Sequence, residues 1–227
     1  MSGMLKFCYL SLCLILLCCG EVNTKKDDSI KPVKEVEKVQ QVSTAQKTIL
    51  FFGNSLTAGM GLEIEEAFPA LIQKKLDTIS AGFNVVNAGL SGETTASGKN
   101  RLSWVLKQKV DIFVLELGAN DGLRGIPLNE TRNNLQEMID AVQDHNPNVK
   151  ILIAGMQIPP NMGQEYTNEF KMIFPELAEK NGIALIPFLL KDVAGIADLN
   201  QQDGIHPTAE GQHIVAENVW AVLESEL

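Results

Sequence analysis

A hydroxyl nucleophile needs a base, and this sequence offers few. It holds three histidines, His145, His206 and His213. His145 sits in Asp144-His145-Asn146-Pro147, which reads as a helix-ending surface turn, and His213 falls within the last apolar-periodic stretch. His206 lies in Asp203-Gly204-Ile205-His206-Pro207, with a carboxylate three residues before it. Gly204 supplies a bend that lets Asp203 reach back to the imidazole, and Pro207 is expected to open the last helix. An imidazole held by a carboxylate can take a proton from a hydroxyl and return it later. The candidate hydroxyl is Ser55, in Gly53-Asn54-Ser55-Leu56-Thr57-Ala58-Gly59. A Gly-rich turn from strand to helix raises such a serine above the sheet and leaves N–H groups free at the helix start. Taken singly, Ser55 reads first as a helix N-cap.

Two more segments carry hydrogen-bond donors. Gly92, in Ala88-Gly89-Leu90-Ser91-Gly92-Glu93-Thr94-Thr95, can bring its N–H to a ligand with no side chain in the way; the alternative is a helix-entry turn capped by Thr94 or Ser91. Asn120, in Gly118-Ala119-Asn120-Asp121-Gly122, offers a side-chain amide; the alternative is a plain turn residue. Between Met156 and Tyr166 runs an apolar segment whose Met156, Ile158, Pro159 and Met162 suit an acyl chain, or else form a surface loop packed on the sheet edge.

Short apolar runs bounded by turn residues must position these groups. Five occur: Thr48 to Phe52, Phe83 to Asn87, Ile112 to Leu117, Val149 to Ala154 and Ile183 to Pro187. Continuous runs of this length suit strands covered on both faces. Between and after them lie helical spacings: Phe68, Leu71, Ile72, Leu76; Leu135, Met138, Ile139, Val142; Phe170, Ile173, Phe174, Leu177; and Ile214, Val215, Val219, Val222, Leu223. Alternating strands and helices predict an α/β domain over 47–227, three layers deep, with a five-stranded parallel sheet. Its ligand site should lie beyond the carboxyl ends of the strands, where strand order switches. The chemistry-bearing residues all follow strands or precede the last helix.

The chain has 227 residues and a formal net charge of -9, with pI near 4.9. That balance argues against a nucleic-acid partner, which requires clustered cations. All four cysteines, Cys8, Cys13, Cys18 and Cys19, precede residue 20, so the domain has no disulfide and no thiolate nucleophile. Their spacing lies in an apolar run and does not suit a zinc site. Lys6 precedes the apolar stretch Phe7 to Cys19, too short to span a bilayer comfortably but suited to a signal segment. Residues 21–46 are charged and poor in aromatics, the composition of a tether.

Together, in this order, the blocks Gly53-Asn54-Ser55-Leu56, Gly92, Gly118-Ala119-Asn120-Asp121 and Asp203-Gly204-Ile205-His206-Pro207 resemble the SGNH (GDSL-type) hydrolases. The wording of Glu116 to Gly125 is similar to the bacterial thioesterase I, lysophospholipase and arylesterase branch. The resemblance implies a flavodoxin-like α/β/α fold and an esterase working through an acyl-enzyme. It implies Ser55 as nucleophile, His206 as base and Asp203 as its orienting carboxylate. The oxyanion donors would be the N–H of Ser55, the N–H of Gly92 and the amide of Asn120. No metal or cofactor is expected, and the expected substrates are short to medium acyl esters, thioesters or lysophospholipids. Alternatives are O-acetyl groups on sugars or cell-wall glycan, and a non-catalytic binding module. The chain departs from the family in one place: Asn54 stands where the family has Asp before the nucleophile, which keeps the shape but loses the charge. Leu16-Leu17-Cys18-Cys19 resembles a lipobox, implying a signal peptide over 1–18, lipidation at Cys19 with Cys18 second, a tether over 19–46, and an exported, membrane-anchored monomer. An uncleaved membrane helix and a plain cleaved signal are the alternatives.

Overall fold

The computed structural model describes residues 46–227. The expected signal segment and the tether lie outside them, Gln46 excepted. Each apolar run is a strand, with ends shifted by no more than two residues: β1 Lys47–Gly53, β2 Phe83–Gly89, β3 Ile112–Glu116, β4 Lys150–Ala154 and β5 Ala184–Ile186. They form one sheet in the order β2-β1-β3-β4-β5, and every neighbouring pair is parallel. β3 is buried along its whole length, whereas the edge strand β2 is partly exposed after Phe83. That contrast is why the central runs read as unbroken apolar stretches.

Seven helices accompany the sheet among the described residues: α1 Ser55–Ala58, α2 Phe68–Thr78, α3 Thr95–Val105, α4 Ala119–Leu123, α5 Leu128–His145, α6 Gln164–Asn181 and α7 Ala209–Leu223. Right-handed crossovers put α2 on one face and α3, α5 and α6 on the other, and the terminal α7 joins α2. The contacts agree: α2 packs on α7, and α5 touches both α3 and α6. The four apolar spacings read from the sequence fall on α2, α5, α6 and α7. Leu135, Met138, Ile139 and Val142, for example, are all buried. Aromatic pairs link sheet to helix and strand to strand: Phe51 meets Phe68 edge-on at 5.4 Å and Phe52 lies 5.6 Å from Phe113.

One local expectation changes. Pro207 does not open the last helix. Thr208 caps it, its hydroxyl accepting the N–H of Gly211 at 3.2 Å, and Pro207 lies outside, bridged to Asn200. A threonine oxygen is a better cap than the proline ring is a first helical residue here. Between β2 and β3, α3 occupies a stretch whose sequence shows little helical periodicity.

The chain leaves β1 toward β2, then crosses back over β1 to β3, so the direction of travel reverses beside β1. That reversal opens a crevice at the carboxyl ends of the strands. Gly53 is in register with Gly89 on one side and Glu116 on the other. The loops carrying Ser55, Gly92 and Asn120 therefore leave three adjacent strands at the same level.

Candidate active site

Ser55 is not the helix cap. Asn54 is: its Oδ1 accepts the N–H of Leu56 at 2.9 Å, and α1 begins at Ser55. The serine hydroxyl is thereby left over for something else. It sits 2.9 Å from Nε2 of His206, while Oδ1 of Asn54 is a longer 3.4 Å away.

His206 is held by a loop that folds back on itself. Gly204 takes φ +68, the left-handed bend that the Asp-Gly-x-His spacing requires. Asp203 then accepts three hydrogen bonds. Its Oδ1 takes the N–H of Ile205 at 2.9 Å and the N–H of His206 at 3.0 Å, and its Oδ2 lies 2.6 Å from His206 Nδ1. The backbone N–H of His206, its ring and the N–H of Ile205 together hold the Asp203 carboxyl down at about 2. An ionised carboxylate can only accept, so the proton at that contact belongs to Nδ1. Nε2 is left as the acceptor facing the Ser55 hydroxyl, the arrangement in which serine can lose its proton. His145 and His213 are both exposed at the surface.

The donors are interlocked. At the start of α1 the N–H groups of Asn54 and Thr57 go to Glu116, and that of Leu56 to Asn54. The N–H of Ser55 is the one in this run that neither side chain takes. Asn120 gives one amide hydrogen to the backbone oxygen of Glu93 at 3.0 Å, which brings its side chain beside Gly92 and leaves its second hydrogen free. Arg124 donates to the Gly92 carbonyl at 3.1 Å. Asp121, buried, accepts the N–H of Thr95 at 2.9 Å and also its hydroxyl. Glu93, equally buried, pairs with Arg101, whose guanidinium lies 4.2 Å above the Phe52 ring. The Asp121 carboxylate and the Glu93 backbone oxygen thus tie the two donor loops together. Neither was singled out from sequence; each is an acidic residue directly beside a donor loop residue, which is the only signal it leaves.

Thr94, not Ser91, caps α3, with Ser97 returning the bond to the Thr94 N–H at 2.9 Å. Below the nucleophile turn Glu116 is fully buried, and burial pushes its carboxyl up to about 7 despite four donors.

A cleft of about 640 Å³ opens beside these groups. Leu56, Ala119 and Ile205, chain neighbours of Ser55, Asn120 and His206, form its near wall. Met156, Ile158 and Pro159 line it. Met162 does not: the short turn Pro160–Met162 carries it away, and its Cε packs at Gly125 instead. The far wall, unanticipated, comes from the segment after β5, with Phe188, Leu190 and Ala194. The unbroken Phe188-Leu189-Leu190 run after a strand was the available clue.

A serine hydroxyl bonded to a carboxylate-held imidazole, at the switch point of a parallel α/β sheet, defines a serine hydrolase. The chain belongs to the GDSL-like Lipase/Acylhydrolase family, whose model matches residues 51–214. It is 39% identical over 181 residues to the Esterase TesA of Pseudomonas aeruginosa, covering 79% of this chain and 89% of that one. It is 38% identical to an Arylesterase of Vibrio mimicus, over 82% of this chain and 92% of the relative. Among solved structures, a crystal structure of TesA superposes with a TM-score of 0.76 at 38% identity, over 80% of this chain and all of that one. The protein is a serine hydrolase of carboxylic esters.

Proposed function

We propose that Ser55 is the nucleophile, His206 its general base and later acid, and Asp203 the group that fixes the imidazole tautomer. The observation that carries this reading is the continuous relay from Asp203 Oδ2 to His206 to Ser55 Oγ, at 2.6 and 2.9 Å. The serine oxygen attacks the ester carbonyl while its proton passes to Nε2. The carbonyl oxygen then carries negative charge, which the N–H of Ser55, the N–H of Gly92 and the free amide hydrogen of Asn120 stabilise. Each such donor lowers the barrier by about 3–4 kcal/mol. His206 returns the proton to the departing alcohol, and water releases the acyl group by the same steps in reverse.

The acyl chain occupies the apolar cleft between the segments after β4 and β5, so the substrates are acyl esters with an aliphatic tail. The domain, 47–227, works as a monomer tethered through residues 19–46 to a diacylated Cys19 on an exported, membrane-bound protein. This last part rests on the residues before the domain alone. Wild type that takes up no radiolabelled palmitate would remove it, and incorporation that survives Cys19→Ala would move the lipid to Cys18.

The test of the catalytic reading is a fluorophosphonate probe with p-nitrophenyl butyrate turnover on the full chain. Wild type is labelled at Ser55 and turns over; Ser55→Ala does neither. A Ser55→Ala enzyme with wild-type turnover overturns the reading. Relative rates on acetylated xylan and on a p-nitrophenyl chain-length series separate acyl-ester from sugar-acetyl hydrolysis.

A further inference from the structure

The residue before the nucleophile departs from the family, and what it touches gives the departure a meaning. Asn54 and Glu116 are both buried, 1% and 0% exposed. The Glu116 carboxylate accepts four hydrogen bonds, all from the two residues that flank Ser55-Leu56. Asn54 gives its N–H at 3.1 Å and its Nδ2 at 2.8 Å; Thr57 gives its N–H at 3.3 Å and its Oγ1 at 2.7 Å. Glu116 reaches this place because Gly53 has no side chain. A Cβ there would collide with Glu116 Oε2 and Thr57 Oγ1. The first glycine of the nucleophile block thus makes room for a carboxylate beneath the turn.

The polarity of this contact decides the polarity of the next. A carboxylate accepts and cannot donate, so the amide nitrogen of Asn54 must face Glu116. Its Oδ1 is then forced to the other side, where it accepts the N–H of Leu56 and lies 3.4 Å from Ser55 Oγ. A flipped Asn54 would set amide hydrogens against the Leu56 N–H and open the cap on which the Ser55 position depends.

We propose that Glu116 is a positioning residue for the nucleophile, and that it acts by fixing the orientation of the Asn54 side chain that caps the Ser55 turn. The inference rests on the reading of Ser55 as nucleophile. It makes Asn54 and Glu116 a matched pair, a neutral amide facing a carboxylate, so that their chemistry can be exchanged. The substitution Glu116→Gln keeps nearly the same volume but presents an amide to an amide, and Asn54 must turn round. Adding Asn54→Asp restores the match: one oxygen of the new carboxylate accepts from the new amide beneath the turn, and the other accepts from the Leu56 N–H.

The experiment measures kcat, KM and Tm of the full chain for wild type, Glu116→Gln and the double variant Asn54→Asp with Glu116→Gln, with Ser55→Ala alongside, above neutral pH. Glu116→Gln is expected to lose about tenfold in kcat with KM within about twofold, the loss of an oriented hydrogen bond to a charged group. The double variant is expected to recover to within about threefold of wild type. A carboxylate that merely filled space would leave Glu116→Gln at wild-type kcat, and that result overturns the inference. So does a double variant no more active than Glu116→Gln, including the case in which neither folds. If Glu116→Gln is unaffected while Ser55→Ala is dead, the positioning role alone fails; if Ser55→Ala is active, the catalytic reading beneath it fails.

Discussion

Asp203 grips His206 twice, through its ring at 2.6 Å and through its own backbone N–H at 3.0 Å. Both oxygens of one carboxylate are therefore committed to this residue, and the carboxylate cannot turn away from the ring without breaking its backbone contacts. Asp203→Asn keeps an acceptor for the N–H groups of Ile205 and His206 but presents an amide hydrogen to Nδ1. The ring must then carry its proton on Nε2, facing Ser55, where it cannot act as a base. A loss of about ten-thousand-fold in kcat is expected, with Tm little changed because Asp203 is largely exposed. A variant within tenfold of wild type would remove Asp203 from the relay.

Asn120→Ala is expected to lower kcat by about a hundred- to a thousand-fold, the effect of one oxyanion donor. KM should hardly move, because the charge it meets develops only in the transition state. The structure adds a control. Asn120 also bonds the Glu93 backbone, so a purely structural loss would appear as a lower Tm and weaker binding of ground-state product. Steady-state kinetics with thermal melts distinguish the two.

The sheet and the loops after β1, β2 and β3 were legible because buried parallel strands are short, unbroken apolar runs ended by Gly and Asn. α3 was not. Of its residues only Thr95, Gly98, Leu102 and Val105 are buried. A Cβ on Gly98 would collide with the Leu117 side chain, so the helix is held close by a small residue rather than by apolar side chains, and no hydrophobic period survives. Glu116 has no such signal in the sequence. Its role depends on Gly53 across the sheet, a neighbour set by register rather than by sequence distance. The far wall of the cleft was missed for the same reason: Phe188 and Ile158 become neighbours only when β4 and β5 pair.

Glu116 should leave a signature in stability against pH. Its carboxyl is raised from 4.5 to about 7 by burial. Between those values the folded chain holds a proton that the unfolded chain releases. The contribution is full below about 4.5 and is lost as pH rises through about 7, a change on the order of 3 kcal/mol. No other charge contributes to the shift; the facing groups are Asn54 and Thr57. The Tm difference between wild type and Glu116→Gln isolates this group, since all others titrate in both. Wild type should gain several degrees on the variant between about pH 8 and about pH 5. A difference that is flat with pH would mean that Glu116 does not titrate in this range.

The cleft predicts a chain-length profile. Each methylene that enters apolar surroundings gains about 0.8 kcal/mol, roughly fourfold in kcat/KM. Across p-nitrophenyl esters from acetate upward, kcat/KM should climb until the tail has passed Met156 and Ile158 and reached the wall after β5, then level off. Ala194 lies on that far wall and is exposed, so a larger side chain there can enter the cleft without disturbing the core. Ala194→Trp should leave the acetate and butyrate rates within about twofold while cutting octanoate by roughly fifteen- to sixtyfold, since two to three methylenes lose their place. Ile158→Trp, on the segment after β4 that lines the same cleft, should shorten the optimum as well. If both leave the profile unchanged, the acyl chain leaves Ser55 by another route, and the apolar cleft is not its site.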